Sequence, residues 1–200
     1  MNIRFTKNKA FIIFSILIIF IFSNIAFSEE KNTFRKFLNN ALRAYIEQNY
    51  EDVLVNLKKA SLIMRNLASL RSEALLFCDT INMFADYIPR KNAVFSPGET
   101  FLVYFQPGNY SLLKKDNMWE VNLKEYFKIL DKNGKIIKEM PSPLEFHVTL
   151  YSPLTTGLYF RNADFVPDKE GTYTLIIILE DLIKGKVLKV KLPFEVKDSK

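Results

Sequence analysis

The sequence predicts an α+β protein, with about three N-terminal helices followed by an antiparallel β-sandwich. Two observations carry this expectation. Between about Thr33 and Ile88, apolar residues recur every three or four positions, the spacing that lines one face of a helix. From Asn92 onward the period falls to two, and turn residues punctuate the chain at strand-like intervals.

The first 28 residues read as an export signal. Arg4, Lys7 and Lys9 form a positive leader, and the run from Ala10 to Phe22 is apolar apart from Ser15. Ala26 and Ser28 satisfy the small-x-small rule for signal peptidase, which places the cut after Ser28. The apolar run is shorter than the roughly 20 residues that a membrane-spanning helix needs. An uncleaved anchor is the alternative, because Ile25 and Phe27 extend the run. No cysteine follows it to carry a lipid. Removing residues 1–28 takes away three positive charges and no negative ones, so the formal charge of +6 falls to +3. That balance lacks the dense basic stripe of a nucleic-acid-binding protein. Export also argues against such a partner, leaving a periplasmic or extracellular location. Cys78 is the one cysteine, so stability rests on packing with no internal disulfide.

The expected organisation is a signal peptide at 1–28, a helical segment at 29–90 and a β-sandwich domain at 91–200. Phe34, Phe37, Leu38, Ala41, Leu42 and Tyr45 share one face of a first helix, with Thr33 as its N-cap. A break at Gln48-Asn49 precedes a second helix, whose apolar face holds Val53, Leu54, Leu57, Ala60 and Ile63. A third pattern runs through Leu67, Leu70, Ala74, Phe77, Cys78, Ile81 and Phe84 and stops before Pro89.

Strands follow. Ser96-Pro97-Gly98-Glu99 turns into a strand at Thr100–Gln106, and Pro107-Gly108-Asn109 ends it. Tyr126–Leu130 leads into Asp131-Lys132-Asn133-Gly134-Lys135, where Asn-Gly suits the positive φ of a tight hairpin turn. Ile136 and Ile137 begin the return. Leu144–Tyr151 places Phe146, Val148 and Leu150 on one face. Glu170-Gly171-Thr172 introduces Tyr173–Leu179, and Leu188–Val196 follows. This many short strands in about a hundred residues fits a sandwich of the Ig-like or fibronectin-like kind.

Two strands are apolar on both faces. Phe101, Val103 and Phe105 back onto Leu102 and Tyr104, while Tyr173, Leu175, Ile177 and Leu179 back onto Ile176 and Ile178. A sandwich strand in water needs one polar face, so something covers the outer surface. The helical segment is the first candidate and a protein partner the second. Leu188–Val196 instead alternates with Lys189, Lys191, Pro193 and Glu195, the marks of a solvated edge strand.

The stretch from Ala44 to Leu54, running on to Leu57 and Ala60, resembles one tetratricopeptide helix pair. Asn49-Tyr50-Glu51-Asp52 falls where such repeats turn. Val53 stands in place of the usual Ala and Ala41 in place of the usual Gly. The remainder resembles a recurring C-terminal Ig-like domain of uncharacterised exported bacterial proteins. The matching pieces are Phe77-Cys78, Phe95 to Glu99, Tyr104, Tyr126 to Gly134, Gly171 to Leu175, and Asp181 through Phe194-Glu195-Val196. This resemblance implies an architecture and supplies no mechanism.

Candidate chemistry is sparse. His147 is the only histidine and lies opposite the apolar face of its strand. A zinc site would need several further ligands. No HExxH, GxSxG or phosphate-loop pattern occurs. Cys78 falls on an apolar stripe and reads as a core residue. Asp131 and Asn133 begin like a calcium loop, but the glycine comes early and no Glu occupies the twelfth position, so they read as a turn. Glu180 and Asp181, adjacent in a strand, point to opposite faces and are poorly placed for acid–base work. Lys184, Lys186, Lys189 and Lys191 form a basic strip suited to an anionic surface or to blunting a sheet edge. Tyr110, Trp119, Tyr151, Tyr159 and Phe160 lie near predicted turns, where exposed aromatics can stack on sugars.

The expectation is therefore a non-enzymatic module of the cell envelope that mediates protein–protein contacts. It has no catalytic, cofactor or metal residues, and its partner is an envelope protein. The alternative is a carbohydrate- or cell-wall-binding sandwich. Contact residues would come from Tyr110, Trp119, Tyr151, Tyr159, Lys189 and Lys191, and the membrane would be met only through an uncleaved N-terminal segment.

Overall fold

The computed structural model describes residues 29–153 and 158–198. The expected signal segment lies outside the described residues. The chain divides into two compact units, Met1–Met64 and Arg65–Lys200.

The first unit holds a helical hairpin. Residues 29–46 form α1, and Tyr50–Leu67 forms α2, which runs just past the unit boundary. Thr33 is not an N-cap, since the helix already runs through residues 29–32. The break at Gln48-Asn49 has a definite geometry. Asn49 N–H donates to the Ala44 carbonyl at 2.9 Å and Gln48 N–H to the Tyr45 carbonyl at 3.1 Å, with Gln48 at φ 59°. This is a Schellman stop, which satisfies carbonyls that the helix end would leave open. Asn49 then starts α2, its Oδ1 accepting from Asp52 N–H at 3.2 Å. Ala41, Ala44 and Ala60 are buried, and small side chains of this kind let two helices approach closely.

The expected third helix is a strand. Arg71–Met83 is β1, a 13-residue strand that pairs with both of its neighbours, so the described residues hold two helices rather than about three. The helical reading failed for a physical reason. Register shifts at Ser72/Ala74, Cys78/Thr80 and Ile81/Met83 interrupt the two-residue alternation. Moreover, β1 is buried on both faces. Phe77 points between the sheets, whereas Cys78 and Ile81 join a cluster on the other side. An irregular strand buried twice over imitates a helical stripe in sequence. Residues 68–90 therefore fall with the β unit rather than with the helices.

The other strands are β2 Asp86–Pro89, β3 Val94–Phe95, β4 Thr100–Gly108, β5 Leu113–Lys115, β6 Met118–Asp131, β7 Ile136–Glu139, β8 Leu144–Leu150, β9 Phe160–Phe165, β10 Gly171–Asp181 and β11 Lys186–Val196. One sheet has the order β2-β1-β4-β9. The other runs β3-β11-β10-β6-β5, with β7 and β8 also paired to β6. All pairings are antiparallel except β3 with β11. Aromatic rings join the two sheets face to face. Phe77 of β1 makes edge contacts with Phe95 of β3 at 5.0 Å and Phe194 of β11 at 5.7 Å, and Phe101 of β4 meets Phe127 of β6 at 6.3 Å.

Two turns follow directly from sequence. Glu99 N–H donates to the Ser96 carbonyl at 3.1 Å with Gly98 at φ 69°, the type II turn that Pro-Gly encodes. In the β6–β7 hairpin, Asp131 Oδ1 accepts from the amides of Asn133 and Lys135, both at 2.9 Å, and Gly134 alone takes a positive φ.

The two-sided apolar strands find neighbours within the β unit. On β4, the Tyr104 ring lies between Tyr87 at 4.2 Å and Tyr159 at 5.3 Å. Ala85, at the tip of the β1–β2 hairpin, donates its N–H to the Tyr104 hydroxyl at 3.1 Å, so this hairpin folds over the outer face. On β10, the register sets Lys128 and Lys191 beside Ile176, and Tyr126 and Lys189 beside Ile178. Long side chains of this kind lay their apolar stems over a sheet while their polar ends stay in water.

Candidate functional site

Three places carry chemistry. The first is an open groove of about 620 Å³ in the β unit, bordered by Ile137, Lys138, Phe165, Asp168 and Tyr173. It lies where β7 of one sheet approaches the end of β9 in the other. Lys138 Nζ reaches across to Asp164 Oδ1 at 2.5 Å, and the Tyr173 hydroxyl donates to the Lys169 carbonyl at 2.8 Å. Phe165 is 60% exposed beside this groove.

The second place is buried. Asn162 of β9 donates from Nδ2 to Glu125 Oε1 of β6 at 3.0 Å, while Glu125 Oε2 has no hydrogen-bond partner among the described residues. Burial pushes the Glu125 carboxyl up to about 7, against the smaller opposing effect of the Asn162 bond. Asp181 is also buried. Its Oδ2 accepts from Ser111 N–H at 2.6 Å, and its Oδ1 accepts from the amides of Ile183 at 3.0 Å and Lys184 at 3.2 Å. Lys186 Nζ stands 3.9 Å from Asp181 and donates to the carbonyls of Arg65 at 3.0 Å and Asn109 at 2.8 Å. Burial lowers the Lys186 pKa, and the Asp181 charge partly opposes that shift. These groups tie loops together.

The third place is the helical hairpin. Leu38, Leu42 and Tyr45 of α1 and Tyr50, Leu54 and Leu57 of α2 are exposed, with Leu42 at 61% and Leu54 at 59%. The Tyr45 and Tyr50 rings meet edge-on at 6.3 Å, which joins the two stripes at the turn.

The expected contact residues scatter. Tyr110 is buried beneath the Arg65 guanidinium, 4.0 Å from its ring centre, and offers no surface to a ligand. Trp119 lies two residues after the Asp116-Asn117 turn, but it is half-buried near the start of β6 between Lys114 and Leu150. Tyr159 stacks on Tyr104, and Phe160 packs in the core between Phe105 and Phe146. Tyr151 is 89% exposed. Lys189 and Lys191 are exposed on β11, whose second edge is taken by β3 only at Glu195 and Val196. Lys186 leaves the basic strip for the buried network. His147 is exposed, with Nε2 4.0 Å from Glu120 Oε2. Glu180 accepts from the Tyr126 hydroxyl at 3.2 Å, on the face opposite Asp181. Burial raises the Cys78 thiol.

Sequence reasoning missed the groove, because β9 and β7 lie far apart along the chain. It also missed Glu125, although that residue sits in phase with Val121, Leu123, Phe127 and Ile129 on the inward side of β6.

No family model matches the chain, and no curated protein sequence does. Among solved structures, the alkylpurine DNA glycosylase AlkC of Pseudomonas fluorescens, bound to DNA containing an abasic site analog, superposes with a TM-score of 0.34 at 14% identity. That match covers 78% of this chain and 36% of that one, so the chain spans about a third of its length. The superoxide reductase (neelaredoxin) of Ignicoccus hospitalis gives 0.30 at 11% identity, covering 66% and 84%. Overlaps this loose carry no weight for function. No helix among the described residues is long and apolar enough to cross a membrane.

Proposed function

We propose that the protein is a non-enzymatic binding or assembly module of the cell envelope, acting through protein–protein contacts made by its helical hairpin. The supporting observation is the joined apolar face of Leu38, Leu42, Tyr45, Tyr50, Leu54 and Leu57. An exposed apolar patch spanning two helices exceeds the scattered hydrophobics of a self-sufficient surface. The export-type leader at residues 1–28 supports the compartment. The test is photo-crosslinking in cells from position 54. A protein adduct formed from Leu54 and absent from Asn39 supports the reading. Equal labelling at both positions, or no protein adduct, removes it.

One feature favours a carbohydrate- or cell-wall-binding module as a second reading. Phe165 presents an exposed ring beside the groove, flanked by the polar groups of Lys138 and Asp168. Sedimentation with purified peptidoglycan tests it. Retention that Phe165→Ala abolishes supports it, and absence of retention discards it.

A further inference from the structure

We infer that the exposed face of the helical hairpin is a self-association surface, occupied by the same hairpin of a second copy in an antiparallel four-helix arrangement. This rests on the protein–protein reading above and names the partner.

Spacing comes first. Tyr50, Leu54, Leu57, Ser61 and Met64 follow one another at steps of four, three, four and three along α2, and all are exposed. This is the a/d seam by which one helix packs against another. Val53 and Ala60, on one flank of that seam, are turned inward and more buried, whereas Glu51 and Lys58 on the other flank are exposed.

Charge then selects the occupant. Glu51 and Lys58 lie seven residues apart on the same flank, with opposite signs. In an antiparallel pair related by a two-fold axis, each flank faces its own equivalent. An axis near Leu54 and Val55 sets Glu51 of one copy against Lys58 of the other, and Lys58 against Glu51. The seam and its charges are thus complementary to themselves, as an isologous interface requires. A parallel copy would set Glu51 against Glu51.

Area agrees. Leu38, Leu42 and Tyr45 of α1 continue the face on the side away from Glu51 and Lys58, so the α1 helices of two copies would meet as the α2 helices do. Six large side chains at these exposures present several hundred Å², the order of the roughly 800 Å² that each partner gives to a standard interface.

The experiment is sedimentation equilibrium on the protein purified as the cell processes it, with circular dichroism to confirm helix content. Dimers are expected. Leu54→Glu should weaken them at least about 30-fold, as a central apolar anchor does. Glu51→Lys and Lys58→Glu should each weaken them about tenfold, because the two-fold axis repeats the like-charge contact. The double exchange should restore the wild-type constant, a rescue that only reciprocal pairing gives. A monomer at concentrations up to about 100 µM, or a dimer indifferent to Leu54→Glu, overturns the inference. Cellular crosslinks from position 54 to a different protein would then leave the broader reading standing, and their absence would end both.

Discussion

Asn162 of one sheet donates to Glu125 of the other at 3.0 Å, and this bond links the two halves of the sandwich through its interior. Glu125 is 1% exposed, on a strand whose inward neighbours are Leu123 and Phe127. Buried carboxyl groups avoid ionisation unless cations or several donors surround them, and the described residues give this one a single donor. Along the inward side of β6 it interrupts Val121, Leu123, Phe127 and Ile129.

The pH dependence of stability follows from that burial. The folded-state carboxyl titrates near 7, above the ordinary 4.5. Below 4.5 both folded and unfolded chains carry the proton, and Glu125 takes nothing from stability. Between 4.5 and 7 the unfolded chain ionises while the folded one keeps its proton, so this group lowers stability steadily as pH rises. Above 7 both are ionised and the loss levels off at about 3 kcal/mol. Glu125→Gln keeps an acceptor for Asn162 and removes the charge. We expect urea denaturation of Glu125→Gln at pH 8 to show a gain of up to about 3 kcal/mol that disappears by pH 4.

Asp181 is the opposite case, a buried carboxylate with its oxygens well used. It accepts three backbone N–H bonds and stands 3.9 Å from Lys186. Asp181→Ala leaves those amides without their acceptor and the partly buried Lys186 ammonium without its counter-charge, and the expected cost is about 3–5 kcal/mol. Replacing Lys186 by Met removes the charge partner while the three amide bonds remain, so its cost should be smaller. Chemical denaturation of the two variants side by side checks the ranking.

Legibility in the sequence divides along physical lines. Strands with one wet face were plain, as with Phe146, Val148 and Leu150 of β8, because alternation records the difference between water and core. Turns were plain where Gly98 and Gly134 supply a φ that other residues resist. β1 was not plain, because bulges and burial on both faces erase the alternation. The candidate surfaces divided too. Leu54 and Leu57 were seen on an apolar face, but the sequence alone did not show that this face stays in water. Trp119 and Tyr110 were drawn to the surface by nearby turn residues, whereas pairing along β5 and β8 and the Arg65 side chain enclose them.

The helix stop at Gln48 gives a prediction opposite in sign to that for Asp181→Ala. Gln48 holds φ 59°, where a side chain crowds its own backbone and glycine does not. Gln48→Gly should therefore stabilise the hairpin by up to about 1 kcal/mol, offset in part by the greater freedom of glycine in the unfolded chain. Thermal melting followed at 222 nm would show it, and a lowered midpoint would contradict the Schellman geometry.

Cys78 tests the strand that replaced the expected helix. In β1 its side chain joins Ile81 and Tyr104 in the cluster on the outer side of the four-stranded sheet. Burial is the main cause that raises its thiol pKa, a backbone hydrogen bond at Tyr104 works against it, and Asp79 adds a smaller push upward. A thiol so placed is neutral at pH 8 and shielded, and reaction with an aromatic disulfide reagent must wait for the strand to open. Labelling of the native protein should be at least about 100-fold slower than labelling in urea, and Tyr104→Ala, which removes the ring beside it, should accelerate it. Fast labelling of the folded wild type would place Cys78 at the surface and contradict the pairing of Cys78 with Leu102.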